Sequence, residues 1–134
     1  MGRITAPSGD TEGAKSLIRE FRRHLKPLGF KEEYPGDENR PFPVLFKYGE
    51  GMPLILILGR LDLEMGSDET SPFRESSGRF FGNGVWVHKG GLIFAAGAMK
   101  ALRSLRKLKG KSIGILLTAH NELKGLSSQK AVNT

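Results

Sequence analysis

Two charged side chains close the most apolar stretch of this sequence. Pro53-Leu54-Ile55-Leu56-Ile57-Leu58-Gly59 runs directly into Arg60-Leu61-Asp62. Residues two apart on an extended segment point the same way, so Arg60 and Asp62 can face one crevice or form an ordinary surface ion pair at a strand end. A second group, Ala119-His120-Asn121-Glu122, follows another apolar run, Ser112 to Thr118. Between them lies a glycine-rich stretch, Gly82-Asn83-Gly84-Val85-Trp86-Val87-His88-Lys89-Gly90-Gly91. Carboxylates, an imidazole and a guanidinium at strand ends suit acid–base, metal or anion chemistry. In open α/β sheets, ligands bind beyond the carboxyl ends of the strands.

The elements that must hold these groups are legible. Five consecutive apolar residues at 54–58 are too few to span a membrane and suit a strand buried on both faces, in the middle of a parallel sheet. Ser112 to Thr118 reads as a second buried strand, and Val44 to Tyr48 as a short one. Ala14, Leu17, Ile18, Phe21, Leu25 and Leu28 recur at helical spacing. With capping residues offered in Ser8-Gly9-Asp10-Thr11-Glu12 and Pro27 and Gly29 as terminators, they predict a helix over roughly 11–26. Leu92, Ala95, Ala96, Met99, Leu102 and Leu105 predict a second helix over roughly 90–107, with that set as its buried face. Lys31 to Pro43 and Leu63 to Ser77 read as surface loops, and Gly78-Arg79-Phe80-Phe81 as a brief return to order. The alternation argues for α/β architecture, with the carboxyl ends of the 54–59 and 112–118 strands on one side.

Composition narrows the classes further. A chain of 134 residues accommodates one domain with a real core, with residues 1–9 as a lead-in and 10–134 as the domain. The absence of cysteine removes disulfides and thiolate metal sites and fits a reducing, cytoplasmic setting. No stretch has signal-peptide or transmembrane character. The net charge of +7 favours anionic partners. It is concentrated at Lys100, Arg103, Arg106, Lys107, Lys109 and Lys111, with a second group at Arg19, Arg22, Arg23 and Lys26. Such runs are commonly solvated faces, and with only Phe21 among them they lack the interleaved aromatics of a nucleic-acid surface.

Taken in order, these blocks resemble the co-catalytic zinc exopeptidases that include glutamate carboxypeptidase, acetylornithine deacetylase, succinyl-diaminopimelate desuccinylase and aminoacylase. The likeness runs from about Pro7 to Val132. It rests on Pro7-Ser8-Gly9-Asp10-Thr11-Glu12-Gly13, on Leu58-Gly59-Arg60-Leu61-Asp62, and on Pro72-Phe73-Arg74 leading to Gly78-Arg79-Phe80-Phe81-Gly82-Asn83-Gly84. It continues through Lys89-Gly90-Gly91 to Thr118-Ala119-His120-Asn121-Glu122. The resemblance implies a three-layer α/β fold of phosphorylase/hydrolase-like type, with a mixed, mostly parallel sheet flanked by helices. It covers only the N-terminal part of such a catalytic domain, without the dimerisation domain or the C-terminal half.

The family chemistry uses two zinc ions to polarise an amide carbonyl and activate water, and a carboxylate to move the proton. Its strand-end motif is His-x-Asp, in which the histidine binds zinc and the aspartate orients it. Here the histidine position is Arg60, and Asp62 matches the orienting aspartate. The bridging aspartate position falls on Val87, the general-base position on Asn121, and the neighbouring ligand position on Glu122, which is retained. His88 and His120 are donors in principle, but His88 precedes the motif lysine and His120 adjoins the carboxylate pair. The resemblance therefore implies zinc as cofactor and small peptides or N-acyl amino acids as substrates, and the replaced positions imply a chain that holds no zinc and does not hydrolyse them. Two other expectations stand beside it. One is a basic binding module using Lys100, Arg103, Arg106 and Lys107. The other is an interaction protein docking on an intact family member.

Overall fold

The computed structural model describes residues 10–35, 43–62, 73–82 and 89–119. Helix α1 (Thr11–Leu25) is capped by one of the residues the 8–12 stretch offers: the Asp10 side chain accepts a hydrogen bond from the Gly13 amide at 2.9 Å. A single 3-10 turn, Lys26–Leu28, follows and closes at Gly29 with φ 96°. Strand β1 (Lys31–Glu33) comes next, in a stretch read from sequence as loop. Three residues carrying three charges give no periodic apolar signal, so nothing in the sequence marked it. Strands β2 (Val44–Tyr48) and β3 (Ile55–Arg60) lie where expected.

A two-stranded hairpin, β4 (Arg74–Ser76) with β5 (Arg79–Phe81), replaces part of the predicted 63–77 loop. Its two turn residues, Ser77 and Gly78, both have positive φ (51° and 70°), as a hairpin turn matched to strand twist requires. Phe73 stacks on Phe80, and the Arg74 guanidinium lies 4.5 Å from the centre of the Phe81 ring. Helix α2 (Gly90–Ser104) and strand β6 (Ile113–Thr118) complete the described elements.

Helix α2 ends three residues before the predicted boundary. The Lys107 amide bonds to the Leu102 carbonyl and the Arg106 amide to that of Arg103, with Arg106 at φ 56°. That is a Schellman ending with arginine where glycine is usual. One consequence corrects the sequence reading: Leu105, assigned to the buried face, is 67% exposed, and Leu108 is fully buried beyond the turn instead.

The main sheet has the order β1-β2-β6-β3. β3 and β6 are parallel, whereas β2–β6 and β1–β2 are antiparallel, so the sheet is mixed. Register and pleat assign Val44, Phe46, Ile113, Ile115, Leu117, Ile57 and Gly59 to one face. Both helices cover that face. Phe21 of α1 meets Phe46 edge-on at 5.7 Å between centroids, and Leu92 of α2 lies over Gly59. A Cβ at Gly59 would come within 2.5 Å of Leu92 Cδ2, so the glycine lets α2 sit close on the end of β3. Leu45, Gly114, Leu116, Leu54, Leu56 and Leu58 lie on the opposite face, which no described helix covers.

This arrangement corrects the expectation for the 54–58 run. β3 is not a middle strand of the described sheet. Among the described residues it pairs on one side only, with β6, and Leu54, Ile55, Leu56 and Leu58 are all more than half exposed. β6 lies between β2 and β3, and its helix-face residues Ile113, Ile115 and Leu117 are buried.

Candidate functional site at the carboxyl edge of the sheet

Parallel pairing of β3 and β6 brings their carboxyl ends to one edge, with Arg60 opposite Thr118. The two ends are tied beyond the ladder: the Leu61 amide bonds to the Thr118 carbonyl at 2.8 Å, and the Thr118 hydroxyl reaches the Gly59 carbonyl at 3.5 Å. At this edge Arg60 Nε lies 3.6 Å from Asp62 Oδ1. The crevice reading and the ion-pair reading of these residues meet here, because the pair is formed and its carboxylate is withdrawn from water. The Asp62 side chain is 2% exposed, and that of Arg60 33%. A carboxylate so desolvated requires a compensating positive charge or hydrogen bonds, and the guanidinium supplies charge on one side.

Lys89 is the second buried charged residue, at the head of α2. Burial pushes its ammonium below the ordinary lysine range. The sequence reading used Lys89 only as part of Lys89-Gly90-Gly91 and did not count it among site residues. A charged residue directly before an apolar helix was the available signal.

Asn121, Glu122, Val87, His88 and His120 lie outside the described residues. The described structure therefore brings together Arg60, Asp62 and the end of β6 that leads toward His120-Asn121-Glu122. Among the described residues, no three histidine, aspartate or glutamate side chains gather as a metal-binding group.

The basic candidates form a separate surface on the helix layer. Lys100, Arg103, Arg106 and Lys107 are exposed. Arg103, Ser104, Arg106, Leu108 and Lys109 line a cleft of about 380 Å³. Lys100 Nζ donates to His24 Nδ1 at 3.0 Å, while His24 Nε2 lies 3.6 Å from Glu20, which links this surface to the end of α1. Arg22, by contrast, is engaged in the fold: it forks onto Glu32 with two 2.6 Å bonds, and Tyr34 donates to the same carboxylate. These bonds hold Glu32 below its ordinary range and raise Arg22. No described helix is long and apolar enough to cross a membrane.

No protein-family model matches this chain, and no curated protein does. Solved structures do match its fold. Human carnosine dipeptidase 1 superposes with a TM-score of 0.65 at 18% identity, over 86% of this chain and 29% of that one. A tripeptidase from Staphylococcus aureus superposes with a TM-score of 0.64 at 15% identity, over 95% of this chain and 37% of that one. The chain thus spans about a third of the length of these neighbours. At such identities the likeness establishes the fold, a mixed α/β arrangement of the kind found in these peptidases.

Proposed function

We propose that this chain is a peptidase-fold relative in which an internal ion pair stands where the resembled enzymes carry a metal centre, and that it does not hydrolyse amide bonds. The observation that carries the reading is the Arg60–Asp62 pair, 3.6 Å apart with the carboxylate buried. In the resembled enzymes this aspartate orients a zinc-bound histidine. Here it faces a guanidinium, which stays protonated and offers no lone pair.

A two-zinc centre does not fit these residues. Arg60 places a fixed positive charge beside the first metal position, Val87 brings no donor atom to the bridge, and Asn121 cannot take a proton from water. Glu122 alone matches a ligand, and zinc sites need about four donors. The substrates to test are those of the fold's neighbours and of the resembled family, namely dipeptides, tripeptides and N-acyl amino acids. Incubation of the purified chain with these and added zinc should release no product above a zinc-only blank. Arg60→His should leave that result unchanged, since the positions at Val87 and Asn121 still lack their carboxylates. Chelator-sensitive turnover by the unaltered chain, or by Arg60→His alone, would overturn the reading.

A second reading rests on the basic cleft. Arg103, Arg106 and Lys109 converge on it beside exposed Lys100 and Lys107, an arrangement suited to an acidic peptide or protein segment. Titration with a polyglutamate peptide should show affinity that falls steeply with salt. Affinity unaffected by salt, or unaffected by Arg103→Ala/Arg106→Ala, would remove it.

A further inference from the structure

The two outer strands of the sheet are built on opposite principles. β1 is three residues long and carries Lys31, Glu32 and Glu33, and a short, charged strand is how proteins discourage further pairing at an edge. β3 is six residues long and has no charge, proline or bulge between Ile55 and Gly59. Its apolar side chains are exposed on the sheet face away from the helices and along its rim: Leu54 88%, Leu56 53%, Leu58 70% and Ile55 53%. Such an edge is a template for another strand.

The sequence of β3 says which strand fits. Leu54-Ile55-Leu56-Ile57-Leu58 reads the same in both directions about Leu56. We propose that β3 pairs antiparallel with β3 of a second copy of this chain, across a two-fold axis at Leu56, to make one continuous sheet. In that register Leu54 faces the partner's Leu58, Ile55 faces the partner's Ile57, and Leu56 faces the partner's Leu56. All leucines lie on the open face and all isoleucines on the helix face, so the pleats match without conflict. An isologous contact of this kind is self-complementary by symmetry. It opposes no like charges, since Arg60 falls opposite Met52.

The surface available is adequate. At roughly 150 Å² for a free side chain of this size, Met52, Leu54, Ile55, Leu56 and Leu58 expose on the order of 500 Å² per copy. That is already at the upper end for an apolar patch on a monomer. Helix α2 lies on the end of β3 through Leu92. The two-fold keeps both copies' helices on one side of the joined sheet. A standard interface buries ~800 Å² per partner, and the apolar residues of β3 and Met52 supply more than half of that before the paired backbone is counted.

The test is the mass of the full chain by light scattering and sedimentation at micromolar concentration, with two double variants. Leu54→Lys/Leu58→Lys sets lysine against lysine at both ends of the paired strands. Leu54→Lys/Leu58→Glu sets lysine against glutamate at the same two places and removes the same apolar area. The unaltered chain should be dimeric, and its association should tighten as salt screens the +7 charge on each copy. The lysine–glutamate variant should remain dimeric, and the lysine–lysine variant should dissociate with a dissociation constant roughly tenfold or more higher. Both variants alter exposed positions, and matched circular dichroism and melting curves establish that each is folded. A monomeric unaltered chain, or equal dissociation constants for the two folded variants, would overturn the proposal.

Discussion

β3 and β6 are neighbours in space, run in the same direction, and are written in nearly the same residues, Ile-Leu-Ile-Leu-Gly-Arg against Ile-Gly-Ile-Leu-Leu-Thr. Their environments differ completely. On the helix face Ile113 is 2% exposed and its partner Ile55 53%, and on the opposite face Leu116 is half-buried and its partner Leu58 70% exposed. β6 has a strand on each side and helices over one face. Among the described residues β3 has β6 on one side and part of α2 above its end, and its other face and edge are uncovered. Similar apolar content therefore reports what a strand is suited to bury, while sheet order decides how much of it is buried.

The sharpest break in that comparison is a matched pair of truncations. Leu117→Ala should destabilise the fold by about 3–4 kcal/mol, because it opens a cavity in close-packed surroundings. Leu58→Ala should cost the monomer less than about 0.5 kcal/mol. Denaturant melts of the two variants measure both, and similar losses would mean that the outer face of β3 is covered.

Arg60→Ala should follow in size. It strips a positive charge from the buried Asp62 carboxylate and should cost about 2–3 kcal/mol. Asp62→Asn/Arg60→Ala should recover part of that loss, since the carboxylate that faced the guanidinium is then neutral. If the double variant were no more stable than Arg60→Ala alone, the pair would not be the source of the effect.

The Arg22–Glu32 fork sharpens the contrast between the two edges, because it ties the short, charged β1 to α1. Glu32 is held below its unfolded value of 4.5. Its contribution is therefore present above pH 4.5 and is lost as pH falls from there through the lowered folded value. Glu32→Gln should cost about 1–2 kcal/mol at neutral pH and flatten the acid limb of the stability curve. An unchanged acid limb would assign that limb to other carboxylates.

The smallest expected effect is a gain. Arg106 holds a left-handed conformation at the end of α2, and Arg106→Gly should stabilise the fold by about 0.5–1 kcal/mol in thermal melts. A loss would mean that the Arg106 side chain makes contacts worth more than the strain.

Much of this architecture was legible in the residues. The stripe Ala14, Leu17, Ile18, Phe21 and Leu25 marked α1, and the capping residues of the 8–12 stretch marked its start, since periodicity and capping are local properties. The apolar runs marked β3 and β6, and their parallel order followed from the intervening helix. The rank of those strands in the sheet was not legible. Hydrophobicity alone does not tell a central strand from an edge strand that is built like one, and β1 is too short and too charged to announce that it flanks β2. Leu105 was misplaced because the 3.6-residue rhythm continues through it, while the Schellman turn at Arg106 is set by backbone hydrogen bonds to Leu102 and Arg103. At the candidate site, the spacing of Arg60 and Asp62 was enough to put them on one side. The burial of Asp62 and Lys89 depends on how α2 and the strand ends pack, which no local pattern encodes. Val87, Asn121 and Glu122 fall outside the described residues, so their roles rest on resemblance.

The central claim is that a cation and its carboxylate partner have taken the place of a metal centre at the carboxyl edge of the sheet. Zinc stoichiometry tests it most directly: the purified chain is dialysed with zinc, freed of unbound metal, and analysed for metal per chain. The account predicts less than one zinc per chain, with Arg60→Ala giving no increase. Two tightly held zinc ions per chain would contradict it, and would turn attention to His88 and His120 as replacement ligands.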